Sequence, residues 1–275
     1  MIAVHDLGGD GDALLVCLAT GFCGRMYEPF ARTLRAQHHT YALDLRGHGD
    51  SPLWPGASLE WPDITADACS TRLGALADAS ICSVTRSVVP LPSLPPWRSR
   101  SGSLRCSCSN RSCRRRGMRA PVENNPMVAL ARQRTEVFAA RVDARERFTS
   151  RASLAALHDE VLDCYVTYGL DDCPDGTVRL KCRAETEATI YETTGGISVD
   201  DVAEVMQPVT IGSGDPESSI LAALAAGTAA GIPAARHIVY SGRTHRRRAD
   251  TRPRRRSCRA TRPHPSRLAL PARRR

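Results

Sequence analysis

The sequence predicts an α/β protein built on a parallel sheet, and three observations carry that expectation. Strand-like and helix-like stretches alternate along the first 45 residues, Ala13 to Ala19 is a continuous apolar run of the kind buried inside a parallel sheet, and glycine-rich turns follow strand-like segments. With 275 residues, 42% of them hydrophobic, the chain suits one domain or one domain plus a small cap, and it is too apolar to be wholly disordered.

Ile2 to Leu7 and Ala13 to Ala19 read as strands on either side of a Gly8-Gly9-Asp10-Gly11-Asp12 turn. Arg25 to Gln37 carries Tyr27, Phe30, Ala31 and Leu34 at helical spacing, and Thr40 to Leu45 returns as a strand, which implies a right-handed crossover. Pro121 to about Ala203 is expected to be mostly helical, with Val128, Leu130, Val137, Phe138, Leu154, Leu157, Val161 and Leu162 buried and a turn at Pro174-Asp175-Gly176. Pro208 to Ile211 is strand-like, Ser219 to Ala230 is an alanine-rich helix, and Arg236 to Tyr240 is the last strand. Gly212-Ser213-Gly214-Asp215 then puts a carboxylate at a strand's C-terminal end, the edge at which open α/β sheets carry their chemistry.

The net charge of +9 is unevenly spread. Nine arginines and no acid lie between Ser80 and Arg119, and fourteen arginines face Asp250 alone between Arg243 and Arg275. These two blocks carry +22, so the remainder is an acidic body of −13. Lysine occurs once, at Lys181, against 37 arginines, a bias that follows GC-rich codons more closely than surface selection. Among the eleven cysteines, Cys106, Cys108 and Cys113 lack the paired spacing of a zinc site, and no metal is expected. Asp171 to Gly176 lacks the spaced ligands of a calcium loop. No stretch approaches the roughly 20 apolar residues of a membrane span, and Met1 to Asp10 lacks a signal-peptide pattern. The expectation is a cytoplasmic protein that does not engage a membrane.

Two segments carry a family resemblance. Ala19-Thr20-Gly21-Phe22-Cys23-Gly24 after one strand and Asp44-Leu45-Arg46-Gly47-His48-Gly49-Asp50-Ser51 after the next resemble the front end of an α/β-hydrolase. The resemblance covers about residues 1–68 and 120–245. It implies that the first turn supplies an oxyanion-hole N–H, from Phe22, and that the second is a structural turn with His48 as a loop-ordering residue. Many members have His-Gly where this chain has Thr20-Gly21.

The family's nucleophile elbow, G-x-S-x-G, belongs about 40 residues further on and is absent. Ser83-Val84-Thr85-Arg86-Ser87-Val88-Val89-Pro90 stands there instead. Codons compatible with that segment, read two bases on, give Gly-His-Ser-Val-Gly-Gly-Ala. In the same offset Arg105 to Cys113 becomes Leu-Leu-Val-Leu-Glu-Pro-Ile-Val-Pro, a buried strand and a turn. We read the gene or its recorded sequence as slipping frame between Cys69 and Ser83, recovering near Met118 to Ala120, and slipping again near Gly242 to Arg246. Loss of the central strand and exposure of two sheet edges are expected consequences. The competing reading is that the arginine blocks are arms that bind nucleic acid through phosphates, although they hold Trp97 as their sole aromatic.

The fold expected is thus an incomplete or disrupted α/β-hydrolase-like parallel sheet with a helical cap. Residues 1–79 form the first part of the core, 80–119 an out-of-frame and poorly ordered segment, 120–205 the cap, 206–245 the rest of the core, and 246–275 a disordered basic tail. The resemblance places the triad acid at Asp215 and the base at His245, in chain order Ser, Asp, His. Asp215 would orient the imidazole and His245 would move the nucleophile's proton. The competing roles are a helix N-cap or turn carboxylate for Asp215 and a surface histidine for His245. The function implied is hydrolysis of an ester or related bond in a small-molecule substrate without a cofactor, lost in the chain as written. Oligomeric state is left open.

Overall fold

The computed structural model describes residues 2–70, 80–84, 106–109, 125–151, 154–155, 157–193, 208–213 and 220–239. In chain order the strands are β1 (Val4–Asp6), β2 (Asp12–Cys17), β3 (His38–Leu43), β4 (Ser80–Val84), β5 (Cys106–Ser109), β6 (Val137–Phe138), β7 (Leu170–Asp172), β8 (Val178–Leu180), β9 (Val209–Ser213) and β10 (Ala235–Val239). The helices are α1 (Glu28–Leu34), α2 (Trp61–Ser70), α3 (Pro126–Arg132), α4 (Arg141–Thr149), α5 (Asp159–Tyr168), α6 (Ala184–Thr193) and α7 (Ile220–Gly231).

Seven strands form one sheet in the order β1-β3-β2-β4-β5-β9-β10. All neighbours are parallel except β1, which runs antiparallel to β3. The β2 sequence Asp-Ala-Leu-Leu-Val-Cys shows why it lies inside: Leu14, Val16 and Cys17 are buried, and Leu15 packs against the same cluster, so both faces are covered. A 3-10 turn at Gly24–Tyr27 leads into α1, which returns the chain to β3. Tyr27 and Ala31 point inward as their spacing predicts, whereas Phe30 is exposed.

The expected gap at the centre of the sheet is not there. Leu14 to Cys17 pair with Ser80 to Ser83, and Cys82 to Val84 pair with Ser107 to Ser109, so the ladder runs unbroken from β2 to β9. The physical reason is that a ladder is made by backbone groups. Ser-Ile-Cys-Ser-Val and Cys-Ser-Cys-Ser contain no proline and no charge, so neither segment blocks pairing despite its composition. The residues between them, and the basic tail at 246–275, lie outside the described residues.

Between β5 and β9 the described residues are mostly helical, as expected of the cap, and they also hold a small sheet that the sequence reading did not include. Among those described residues four helices accompany a three-stranded antiparallel sheet, β6-β8-β7, with Pro174-Asp175-Gly176 turning the chain between β7 and β8. Val128, Phe138 and Leu162 are buried, and Leu154, Leu157 and Val161 pack against the core. Leu130 and Val137 are exposed instead; Val137 and Phe138 alternate across a strand, which sends only the second inward. Phe138, Phe148, Leu162 and Tyr165 of the cap share one apolar cluster with Leu18, Cys23 and Met26 of the core, so cap and sheet are packed together.

Candidate active site

The C-terminal ends of β2, β4, β9 and β10 lie along one edge of the sheet, because these strands and β5 between them are mutually parallel. At the end of β2, Ala19-Thr20-Gly21-Phe22 makes a tight turn in which the Phe22 N–H donates to the Ala19 carbonyl at 3.1 Å. An oxyanion at Phe22 would have to share or displace that bond. Gly21 sits at φ +87°, and a Cβ there would lie 2.7 Å from the Glu187 carboxylate, so a side chain here would be strained and would have to displace that carboxylate.

The second motif proves to be a fastener. The buried Asp44 carboxylate accepts the Gly24 N–H at 2.6 Å and the Asp50 N–H at 2.8 Å, and lies 2.7 Å from His5 Nε2. Ser51 Oγ donates to the Asp44 carbonyl and accepts the Ala3 N–H, both at 2.8 Å. Arg46 reaches Asp67 at 2.6 Å, the Ser58 carbonyl at 2.6 Å and the Asp63 carbonyl at 3.1 Å, tying the loop to α2. His5, Asp44 and Asp50 bring three possible metal ligands within 4.8 Å. Both Asp44 carboxylate oxygens already accept hydrogen bonds, and Asp50 Oδ1 is ion-paired to Lys181.

His48 is fully buried at this point. The network assigns its proton to Nδ1, which donates to the Arg46 carbonyl at 3.1 Å, while Nε2 accepts the Gly21 N–H at 3.0 Å. Burial holds its pKa below the ordinary 6.5, so the ring is neutral and works as a strut rather than as a base, as the motif implies.

Above the turn lies a buried polar network that sequence reading missed. Tyr165 on α5 donates to the Gly21 carbonyl at 2.9 Å and accepts from Arg134 at 2.9 Å. Arg134 pairs with Glu187 of α6, which also accepts the Tyr191 hydroxyl at 3.1 Å. Burial pushes the Tyr165 phenol up to about 12, so it remains a donor at neutral pH. Cys182 is buried beside the same groups, and burial pushes its thiol up, which removes it as a thiolate nucleophile. A second missed pair joins Ser213 Oγ to His237 Nε2 at 2.9 Å across β9 and β10; among the described residues no carboxylate is hydrogen-bonded to that histidine.

Of the predicted site residues, Phe22 stands at the turn after β2, packed edge-on against Tyr165 with ring centroids 5.2 Å apart. Asp215 follows β9 by two residues and His245 follows β10 by six, and both lie outside the described residues. So does the chain just after Val84, where the elbow serine would fall.

No protein-family model and no curated protein sequence matches this chain. Solved structures do match its shape. E-2-(acetamidomethylene)succinate hydrolase superposes with a TM-score of 0.68 at 20% identity over 88% of this chain and 87% of its own. The thioesterase domain from the curacin biosynthetic pathway gives 0.67 at 17% over 88% of each chain. The enol-lactonase from Burkholderia xenovorans LB400 gives 0.56 at 19% over 87% of each. The chain has the α/β-hydrolase fold. No helix among the described residues is long and apolar enough to cross a membrane.

Proposed function

We propose that this chain derives from a serine hydrolase that cleaves an ester or related acyl bond in a small molecule, and that as written it lacks that activity. The observation that carries this reading is the position of β4. It is a central strand of an α/β-hydrolase sheet, it ends at Val84, and the residues that follow, Thr85-Arg86-Ser87, contain no nucleophile elbow. In the shifted reading the elbow serine falls across codons 85 and 86, immediately after that strand. The shifted Leu-Leu-Val-Leu coincides with β5, Cys106–Ser109. Two strands thus fall where the shifted frame needs them, which supports an out-of-frame origin for this segment. The hydrolase, thioesterase and lactonase that share the fold favour acyl chemistry, and the family resemblance assigns it to a Ser-His-Asp arrangement with Asp215 as acid and His245 as base. Phe22 would give one oxyanion N–H and the residue after the serine the other.

The test is to express two proteins, the chain as written and one with all three frame changes reversed, the two slips and the recovery between them. The repaired chain is expected to hydrolyse a short-chain nitrophenyl ester and to be blocked by a serine-directed reagent, while the written chain shows neither property. Robust activity in the written chain that disappears with Ser87→Ala would overturn the proposal. An inactive repaired chain that folds would overturn the hydrolase reading.

A further inference from the structure

The Gly21 carbonyl and the Phe22 N–H belong to one planar peptide unit, so whatever fixes the carbonyl also aims the N–H. Besides the Phe22 N–H bond to the Ala19 carbonyl at 3.1 Å, three contacts hold this unit and the peptide before it. Tyr165 donates to the Gly21 carbonyl at 2.9 Å from a position 144 residues away in sequence. The same ring packs edge-on against the Phe22 ring at an interplanar angle of 69°. On the other side of Gly21, its own N–H is held by His48 at 3.0 Å.

Tyr165 is itself held. Its oxygen accepts from Arg134, and Arg134 is locked by Glu187, whose carboxylate also takes the Tyr191 hydroxyl. The phenol therefore has one donor directed at it and one acceptor to give to, which leaves its proton a single direction, toward Gly21. The side chains of Arg134 and Glu187 are both largely buried, and they lie so close over Gly21 that a Cβ there would run into them. An ion pair placed in a dry site carries a desolvation cost that favourable geometry must offset, and here the geometry ends on one backbone carbonyl.

We propose that Tyr165 is a positioning residue for the oxyanion-hole peptide: the cap, through Tyr165 and the Arg134–Glu187 pair behind it, sets the orientation of the Gly21–Phe22 unit. This rests on the reading of Phe22 as an oxyanion donor. A cap that carries this contact is a working part of the site as well as its cover.

The first arm uses the full chain as it exists. In Tyr165→Phe, amide hydrogen exchange at Phe22 is expected to rise at least about tenfold while the amides of β2 and β3 keep their wild-type rates. Arg134→Gln, which keeps the phenol, is expected to raise it less; should Tyr165→Phe fail to fold, this variant decides, by the same comparison with β2 and β3. Unchanged exchange at Phe22 overturns the proposal. The second arm uses the frame-repaired chain, in which Tyr165→Phe is expected to lower kcat about tenfold and leave KM unchanged, because the contact acts on the transition state alone. Equal kcat in the repaired chain with and without Tyr165 overturns the positioning role and leaves the hydrolase reading intact. Inactivity of the repaired chain with Tyr165 present overturns the hydrolase reading, and the catalytic role of Tyr165 falls with it.

Discussion

The carboxylate of Asp44 occupies the space that a side chain on Gly49 would need. Both residues lie in the turn from Asp44 to Ser51 after β3, and Gly49 holds φ +49° so that the chain can turn back over the acid. The Asp50 N–H then meets Asp44 Oδ2 at 2.8 Å. Loop, β1 and the 3-10 turn after β2 are thus fastened at one buried carboxylate.

Gly49→Ala should therefore be far costlier than a surface glycine change. The new methyl would displace the carboxylate and uncouple the Gly24 and Asp50 N–H groups, while the backbone stays in a left-handed conformation that alanine disfavours. A loss of about 3 kcal/mol or more is expected from such combined strain and lost buried bonds. Urea unfolding against Gly56→Ala, at a turn where a Cβ meets nothing within 4 Å, checks it; equal losses in the two variants would contradict the account.

Thr40 gives a prediction of opposite sign. It is buried at the middle of β3, and its hydroxyl has no partner among the described residues. Valine has nearly the same shape and leaves no unsatisfied oxygen in the sheet. Thr40→Val is expected to stabilise the fold by about 1 kcal/mol, read as a higher urea midpoint at unchanged slope. A lower midpoint would mean that the hydroxyl is satisfied.

How far the sequence reveals these features depends on how local their causes are. β2 and β3 are legible because an apolar run states its own burial, and the loop from Asp44 to Ser51 is legible because its bonds join residues a few positions apart. Val137 is misread because a two-residue strand is too short to show a period. The unbroken sheet through β4 and β5 is misread for another reason: arginine and proline dominate the segment, but the ladder needs only nine residues that contain neither. Arg134, Tyr165 and Glu187 are out of reach altogether. They lie 31 and 53 positions apart, each reads as an ordinary helix or loop residue, and only the folded cap brings them onto Gly21.

The Arg134–Glu187 pair should show strong coupling. Arg134→Met leaves the buried Glu187 charge with the Tyr191 hydroxyl as its remaining donor, and breaking a buried pair from one side typically costs about 3–5 kcal/mol. Replacing both, as Arg134→Met with Glu187→Leu, removes the orphaned charge together with the bond. The double variant is expected to be clearly less destabilised than the sum of the two single variants. A cycle of four unfolding curves measures this, and additivity within about 0.5 kcal/mol would show that the two side chains do not act as a unit.

His48 makes the stability of the fold depend on pH in one direction. Burial is the dominant influence and lowers the ring's pKa, outweighing the Arg46 carbonyl, Glu187 and Asp44, which favour the charged form; Arg134 opposes it. In the unfolded chain the ring takes up a proton as the pH falls through 6.5, whereas the folded chain refuses it until a lower pH. The contribution of His48 is therefore complete above that value and is lost as the pH drops, with a slope that approaches about 1.4 kcal/mol per pH unit for one proton. His48→Gln carries no titrating group, so it should be less stable than wild type at pH 8 and should lose the part of the acid slope below pH 6.5 that belongs to this ring. Urea midpoints of both proteins between pH 5 and pH 8 test this: parallel profiles would mean that the ring is protonated as readily inside the fold as outside it, and the strut between Arg46 and Gly21 would then have to be redrawn with a charged histidine.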